Sequence, residues 1–392
     1  MGKGIRIGSL FGINIHIDWT WIFIFALITW SLSVALGQFR PDLDTGTAWG
    51  LAAFAALLFF ASVLAHEMAH SLVARSQGLP VRNITLFIFG GVSSIEREPE
   101  SPRNEFLMAI VGPLTSLVIG VILLFAVGAR LPDAPDLLQR PQQLFEVIGL
   151  ASMLGLWLGS VNMLLGFFNL IPAFPLDGGR VLRSIFWAIT NNLQRATGWA
   201  SAIGQGIAWV FIITGIAMAF GFRVPLFGTG VVNGLWLAFI GWFLNSAASR
   251  SYRQVVVQDI LADVPVTEIM RRNPPVVPPD ISVSALVHEH VMGSDDYGFP
   301  VMDRDSLVGL VTMQDVRGIS RERWENVDVR EIMTPRDELL TVGAEGDAAQ
   351  AFNTLMQRDV RQLPVLEDGQ LVGLLRRNDL VRWLQLHSES EG

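Results

Sequence analysis

Six stretches of this chain are apolar over about twenty residues, the length of helix needed to cross the hydrocarbon of a bilayer, and they constrain the fold more than any motif does. They run roughly Trp19–Leu36, Leu51–Ala74, Phe106–Val127, Leu144–Phe168, Ala202–Phe220 and Val231–Ala247. A composition of 51% hydrophobic against 16% charged residues is too apolar for an ordinary soluble globule. From about Ser249 onward, charged and apolar residues alternate as in a soluble domain. The expected fold class is therefore a polytopic α-helical membrane protein of six spans followed by a soluble α/β region. The parts are expected at residues 1–248 (membrane domain), 249–263 (linker), 264–386 (soluble domain) and 387–392 (tail).

Lysine and arginine accumulate on the cytoplasmic side of membrane proteins. Lys3 and Arg6, then Arg75, Arg82, Arg97 and Arg103, then Arg180, Arg183 and Arg195, then Arg250 and Arg253 fall on one side, against Arg40, Arg130, Arg140 and Arg223 on the other. The N-terminus and the soluble region are thus expected in the cytoplasm. The basic opening has no small-residue cleavage site after a short apolar core, so the first span is expected to stay. Trp19, Trp21, Trp236 and Trp242 suit interfacial anchors. A net charge of −8 without a cluster of Lys and Arg excludes a nucleic-acid face. The chain has no cysteine, which excludes disulfides and thiolate-bound metals but leaves the redox compartment open.

Between the second and third spans, Val81–Phe89 alternates in polarity ahead of Gly90-Gly91 and Val92–Ile95, the pattern of a β-hairpin. It lies either in the cytoplasmic loop or dips toward a site in the membrane. The soluble region repeats itself at an offset of 63 or 64 residues: Val266 to Met270 recurs as Val329 to Met333, and Leu307 to Asp315 recurs as Leu371 to Asp379. Each unit is too small to bury a core alone, so the two are expected to pack as a pair.

His66-Glu67-Met68-Ala69-His70 lies near the end of the second span. The i, i+4 spacing puts both imidazoles on one helix face to share a Zn2+ ion, with Glu67 placed to take a proton from metal-bound water. Three ionisable groups within five membrane residues cost about 2.5–3.5 kcal/mol each without such a shared role. A catalytic zinc takes three protein ligands, so one is missing. His16 sits near the head of the first span and His288, His290 and His387 in the soluble region, which leaves a carboxylate. Asp177 follows the fourth span on the side where the second also ends, within Asn169-Leu-Ile-Pro-Ala-Phe-Pro-Leu-Asp-Gly-Gly-Arg180. Pro172 and Pro175 break the helix there and Gly178-Gly179 allow a tight turn. Alone, Asp177 would read as a loop cap; beside His66 and His70 it reads as the third ligand.

The HExxH helix together with the Asn-x-x-Pro-x-x-Pro-Leu-Asp-Gly segment resembles the site-2 protease family of intramembrane metalloproteases over roughly Ile5–Ala247. The repeat resembles a tandem pair of CBS modules over Val264–Leu386. The resemblance implies zinc ligands His66, His70 and Asp177, the general base Glu67, and a core formed by the second, third and fourth spans. It implies for Asn169 a hydrogen bond to the oxyanion, a residue otherwise suited to capping the helix end. It implies for Gly90 and Gly91 a strand that pairs with an extended substrate, and for Gly112-Pro113 a kink that packs the core closely. The expected substrates are single-span membrane proteins, cut in regulated intramembrane proteolysis in the plasma (inner) membrane. CBS pairs are expected to bind adenine nucleotides (ATP, ADP or AMP) through Gly-x-x-Thr-x-x-Asp, or to serve as a homodimer platform. The first module keeps Gly309, Thr312 and Asp315; the second keeps Gly373 and Asp379 but has Arg376 in place of Thr, which puts a second site of the usual kind in doubt and offers a guanidinium to phosphate. A transporter gated by CBS modules is the rival reading, and it gives Glu67 no task.

Overall fold

Backbone groups in hydrocarbon must bond within their own segment, and the apolar stretches accordingly form helices. The computed structural model describes residues 4–88, 90–95, 98–129, 149–225 and 228–388. Lys3, Phe89, Arg97, Arg130, Arg140, residues 144–148 at the head of the fourth expected span and residues 389–392 of the expected tail lie outside the described residues. The chain divides into two units, Met1–Arg253 and Gln254–Gly392.

In the first unit, strands β1 (Ile5–Leu10) and β2 (Ile13–Ile17) precede helix α1 (Trp19–Phe39), and helix α2 (Thr45–Ser76) follows. Then come β3 (Val81–Phe87), β4 (Gly90–Ile95), α3 (Pro102–Gly128) and α4 (Leu150–Asn169). The short α5 (Asp177–Thr190) leads to α6 (Leu193–Ala219) and α7 (Val231–Leu261). Six of these helices, all but α5, are long and apolar enough to cross a membrane. Their outward faces carry large apolar side chains such as Phe125 (78% exposed) and Val232 (80% exposed), a surface that suits acyl chains and not water. Residues 249–261, expected as linker, continue α7 as helix.

Close helix approach follows from glycine, as it does where helices cannot rely on a hydrophobic drive to associate. A Cβ on Gly215 would overlap the Gly234 carbonyl, and one on Gly234 the Gly215 carbonyl, so α6 and α7 cross backbone to backbone. Gly120 and Gly159 do the same for α3 and α4, whose side chains Met163 and Leu124 fill the adjacent space. Helix α3 is the hub, packed against α2, α4 and α5.

The expected hairpin is present, and it belongs to a larger sheet of order β1-β2-β3-β4. Strand β2 pairs in parallel with β3, Ile15 beside Ile84, and β3 pairs antiparallel with β4, Leu86 opposite Gly91. Gly90 and Gly91 open strand β4, so the turn precedes them. Gly90 has φ of 124°, a value that side chains resist.

In the second unit, β6 (Gly298–Asp303) and β7 (Ser306–Thr312) form an antiparallel pair edged by β8 (Thr334–Pro335). Strands β10 (Gln362–Glu367) and β11 (Gln370–Arg376) form the second pair, flanked by β9 (Val342–Gly343) and by β5 (Arg271–Arg272). Strand β5 belongs to the first repeat but edges the sheet of the second, and β8 belongs to the second but edges the sheet of the first, so the modules exchange edges and pack as a pair. Val266 and Ile269 share one core with Leu355, Leu363 and Val365, while Phe299, Val301 and Val311 anchor the other.

Candidate active site

Helix α2 presents His66 and His70 one turn apart, both buried. Helix α5 begins at Asp177, whose Oδ2 lies 3.1 Å from His66 Nε2 and 3.2 Å from His70 Nε2, while the two Nε2 atoms are 3.2 Å apart. A tetrahedral metal with bonds of about 2.05 Å separates its ligands by about 3.3 Å, so this triangle fits one face of a zinc site. The remaining ring nitrogens support the same assignment. His70 Nδ1 donates to the Met108 carbonyl at 2.6 Å, which fixes the tautomer with the Nε2 lone pair free. His66 Nδ1 meets the Ser116 hydroxyl at 3.0 Å. Asp177 Oδ2 faces both Nε2 atoms, so a carboxylate oxygen and two ring nitrogens converge on one point, the arrangement that a shared cation would hold together.

Helix α3 makes the room. A Cβ at Gly112 would overlap His70 Nε2 and crowd His66 Nε2, so glycine is required where the rings converge. The residue read from sequence as a packing kink is therefore also part of the wall of the site.

Glu67, on the adjoining helix face, is held by the sheet. Ser93 of β4 donates to Glu67 Oε2 at 3.1 Å, and Ser71, whose Oγ lies 3.0 Å from Ser93 Oγ, donates to the Glu67 carbonyl at 2.8 Å. A Cβ on Gly91 would overlap Glu67 Cγ, which seats β4 directly against the acid. The sequence left the hairpin either in the loop or dipping toward the site; in the structure its second strand touches Glu67.

Asp177 reaches the histidines because the backbone folds back between α4 and α5. The Phe174-Pro175 peptide is cis, Cβ atoms on Gly178 would overlap the Leu170 and Ile171 carbonyls, and one on Gly179 would press on Ala173. A buried ion pair fastens this segment to α3: Arg183 Nε donates to Glu105 Oε1 at 2.7 Å, and Arg180 adds a contact at 3.7 Å. Glu105 is fully buried and Arg183 is 4% exposed. Asn169 donates its amide to the Leu165 carbonyl at 3.0 Å, the bond of a residue closing its helix.

In the second unit, Thr312 lines a cavity of about 520 Å3. Asp315 accepts from the Thr312 backbone at 2.8 Å and from its hydroxyl at 2.7 Å. Asp379 is engaged through both oxygens by Arg376, which the sequence had offered to phosphate.

Ser93, Ser116, the Met108 carbonyl and the Glu105–Arg183 pair were missed from the sequence. A serine or a carbonyl in an apolar helix has no spacing to announce it. Glu105, an acid at the head of the third span, and Arg183, a base after the fourth, gave the one available signal.

Spanning helices and a buried His-His-Asp triangle beside a glutamate define a membrane-embedded metalloprotease. The Peptidase family M50 model matches residues 54–213, and the CBS domain model matches 266–322 and 329–386. A protein of Synechocystis sp. that bears a zinc metalloprotease name is 36% identical over 388 residues, covering 98% of this chain and 96% of its own. Rip3 of Mycobacterium tuberculosis, also named as a zinc metalloprotease, is 32% identical over 393 residues, covering 99% and 94%. Among solved structures, the site-2 protease from Methanocaldococcus jannaschii aligns with a TM-score of 0.40 and 26% identity, covering 64% of this chain and 95% of that one. The chain belongs to peptidase family M50: it is a multi-pass, site-2-protease-type zinc metalloprotease that carries a pair of CBS domains.

Proposed function

We propose that this chain hydrolyses peptide bonds of single-span membrane proteins in the plasma (inner) membrane, with His66, His70 and Asp177 as zinc ligands and Glu67 as general base. The observation that carries the reading is the triangle of Nε2, Nε2 and Oδ2 atoms at 3.1–3.2 Å, one residue away from a carboxylate. Zinc, when bound, acidifies a water and polarises the scissile carbonyl. Glu67 takes the proton from that water and passes it to the leaving amine, and Ser93 keeps its carboxylate directed. Strand β4 is an outer strand of its sheet, so a peptide unwound from its helix can pair along it and lie beside Glu67. Asn169 would stabilise the oxyanion by turning its amide from Leu165 toward the site. The N-terminus and the CBS pair lie in the cytoplasm, where the arginines of the described loops collect. Adenine nucleotide at Thr312 and Asp315 regulates cleavage, and CBS domains of two copies pair.

The test is Glu67→Gln in otherwise unchanged membranes. Zinc content is expected to stay near one per chain while cleavage falls by several orders of magnitude, and uncut single-span proteins accumulate in proteomic comparison with wild type. If no membrane protein differs between the two, the protease reading of these residues fails.

A further inference from the structure

The two CBS modules repeat one strand register, so their clefts can be compared position by position. In the first, Thr312 at the end of β7 pairs with Gly298, and Thr334 of β8 pairs with Leu310. In the second, Arg376 at the end of β11 pairs with Gln362, and Arg271 of β5 pairs with Leu374. Arg376 therefore stands where Thr312 stands, and Arg271 where Thr334 stands. Asp296 lies two residues before Gly298, as Val360 lies two before Gln362. Three uncharged residues of one cleft are thus replaced by three charged residues in the other.

The first cleft is open, the cavity of about 520 Å3 being lined by Tyr297, Thr312, Thr334, Val360, Arg361 and Arg377 among others. The guanidinium of Arg361 lies 4.8 Å from the Tyr297 ring centroid, so a cation and an aromatic face border the same space. The second position is filled by the protein itself. Arg376 donates to Asp379 Oδ2 at 2.8 Å, to Asp379 Oδ1 at 2.7 Å and to Asp296 Oδ1 at 2.7 Å. Arg271 Nη1 donates to both oxygens of Asp296 at 2.6 Å. The Asp296 side chain is 5% exposed, a depth at which a carboxylate persists only with partners, and here it has two guanidinium groups.

We propose that the CBS pair holds one nucleotide site per chain, at the Thr312 cleft, and that the equivalent second site is closed by the Arg271–Asp296–Arg376–Asp379 network. This rests on the nucleotide reading above and narrows it. A phosphate at the second position would have to draw Arg376 away from two carboxylates, leave Asp296 short of a partner at depth, and meet the repulsion of both acids. The carboxylate that would meet ribose, Asp379, is already spent on Arg376. The network also crosses the repeat, since Asp296 belongs to the first module and Arg376 to the second. Side chains therefore do permanently at one cleft the bridging that a ligand does reversibly at the other. The pair is a single-input sensor with simple, non-cooperative binding within one chain.

Calorimetry on the full-length protein in detergent micelles, titrated separately with AMP and with ATP, counts the sites. One per chain is expected for at least one probe. Thr312→Arg, which copies the residue of the second cleft into the first, is expected to abolish binding, and Arg377→Ala, in the same cleft, to weaken it should the first variant misfold. Arg376→Thr is expected to leave affinity at the first cleft within about twofold, as for independent positions. The triple variant Arg271→Thr/Asp296→Val/Arg376→Thr, which gives the second cleft the residues of the first, is expected to raise the count to two. Two sites in wild type, or one site that survives Thr312→Arg and is lost in Arg376→Thr, overturns the proposal. A folded triple variant that still binds one ligand overturns the network as the plug. Failure of the underlying reading looks different: neither probe gives heat with any variant, and both ideas fall together.

Discussion

The three side chains proposed to hold the metal in the membrane unit arrive by two contrasting routes. His66 and His70 sit on α2, a 32-residue helix whose own hydrogen bonds set their spacing. Asp177 sits just past a broken stretch, 170–176, against which Gly178 and Gly179 pack closely, at the start of a helix that a buried ion pair ties to α3. The regular route needs only the right residues at i and i+4. The irregular one needs a neighbourhood, because nothing local to Asp177 fixes where it points.

Three substitutions probe that contrast. The largest effect is expected from Gly112→Ala, since the new methyl group occupies the space where the imidazoles converge. Ring displacement of about 1 Å should lower cleavage about a hundredfold or more, and zinc measured by elemental analysis should fall to background in protein that still folds. Full zinc occupancy in this variant would mean that the rings have more freedom than the helix suggests. Next is Arg183→Ala, which leaves Glu105 buried without its main partner and should cost about 3–5 kcal/mol, read as a lowered unfolding temperature. The double variant Glu105→Leu/Arg183→Met sharpens the comparison. Stability should return, while zinc affinity stays low if the pair positions Asp177; recovery of both would reduce the pair to a packing role. The smallest effect belongs to Ser116→Ala, which removes one outer contact of a histidine already set by its helix. Competition with a chelator should show zinc affinity about 10–100-fold weaker, with the fold unchanged.

Sequence legibility follows the same division. The spans, the HExxH helix and the duplicated modules could be read because each is a pattern with a fixed period or spacing. Asp177 could be read only by elimination, as a carboxylate on the right side beside two prolines and two glycines. Strands β1 and β2 went unread although Ile13, Ile15 and Ile17 alternate. Strand β1 pairs with β2 across the short Phe11-Gly12 turn, a local signal that was passed over, whereas the partner of β2 on its other side, β3, lies some seventy residues on, Ile15 pairing with Ile84, and a parallel pairing across two spans leaves no local trace. The departure of Arg376 from its motif was plain. That it is bound to Asp296 and Asp379 was not, since Asp296 belongs to the other repeat and carries no motif of its own.

The parallel seam between β2 and β3 has a practical consequence for anyone handling this enzyme. Deleting residues 5–17 would strip β3 of its neighbour and bare a row of backbone donors and acceptors next to the hairpin that seats Glu67. A shortened version that still binds metal and yet clumps or loses turnover would trace to that bared edge, and the remedy would be to put the missing strands back.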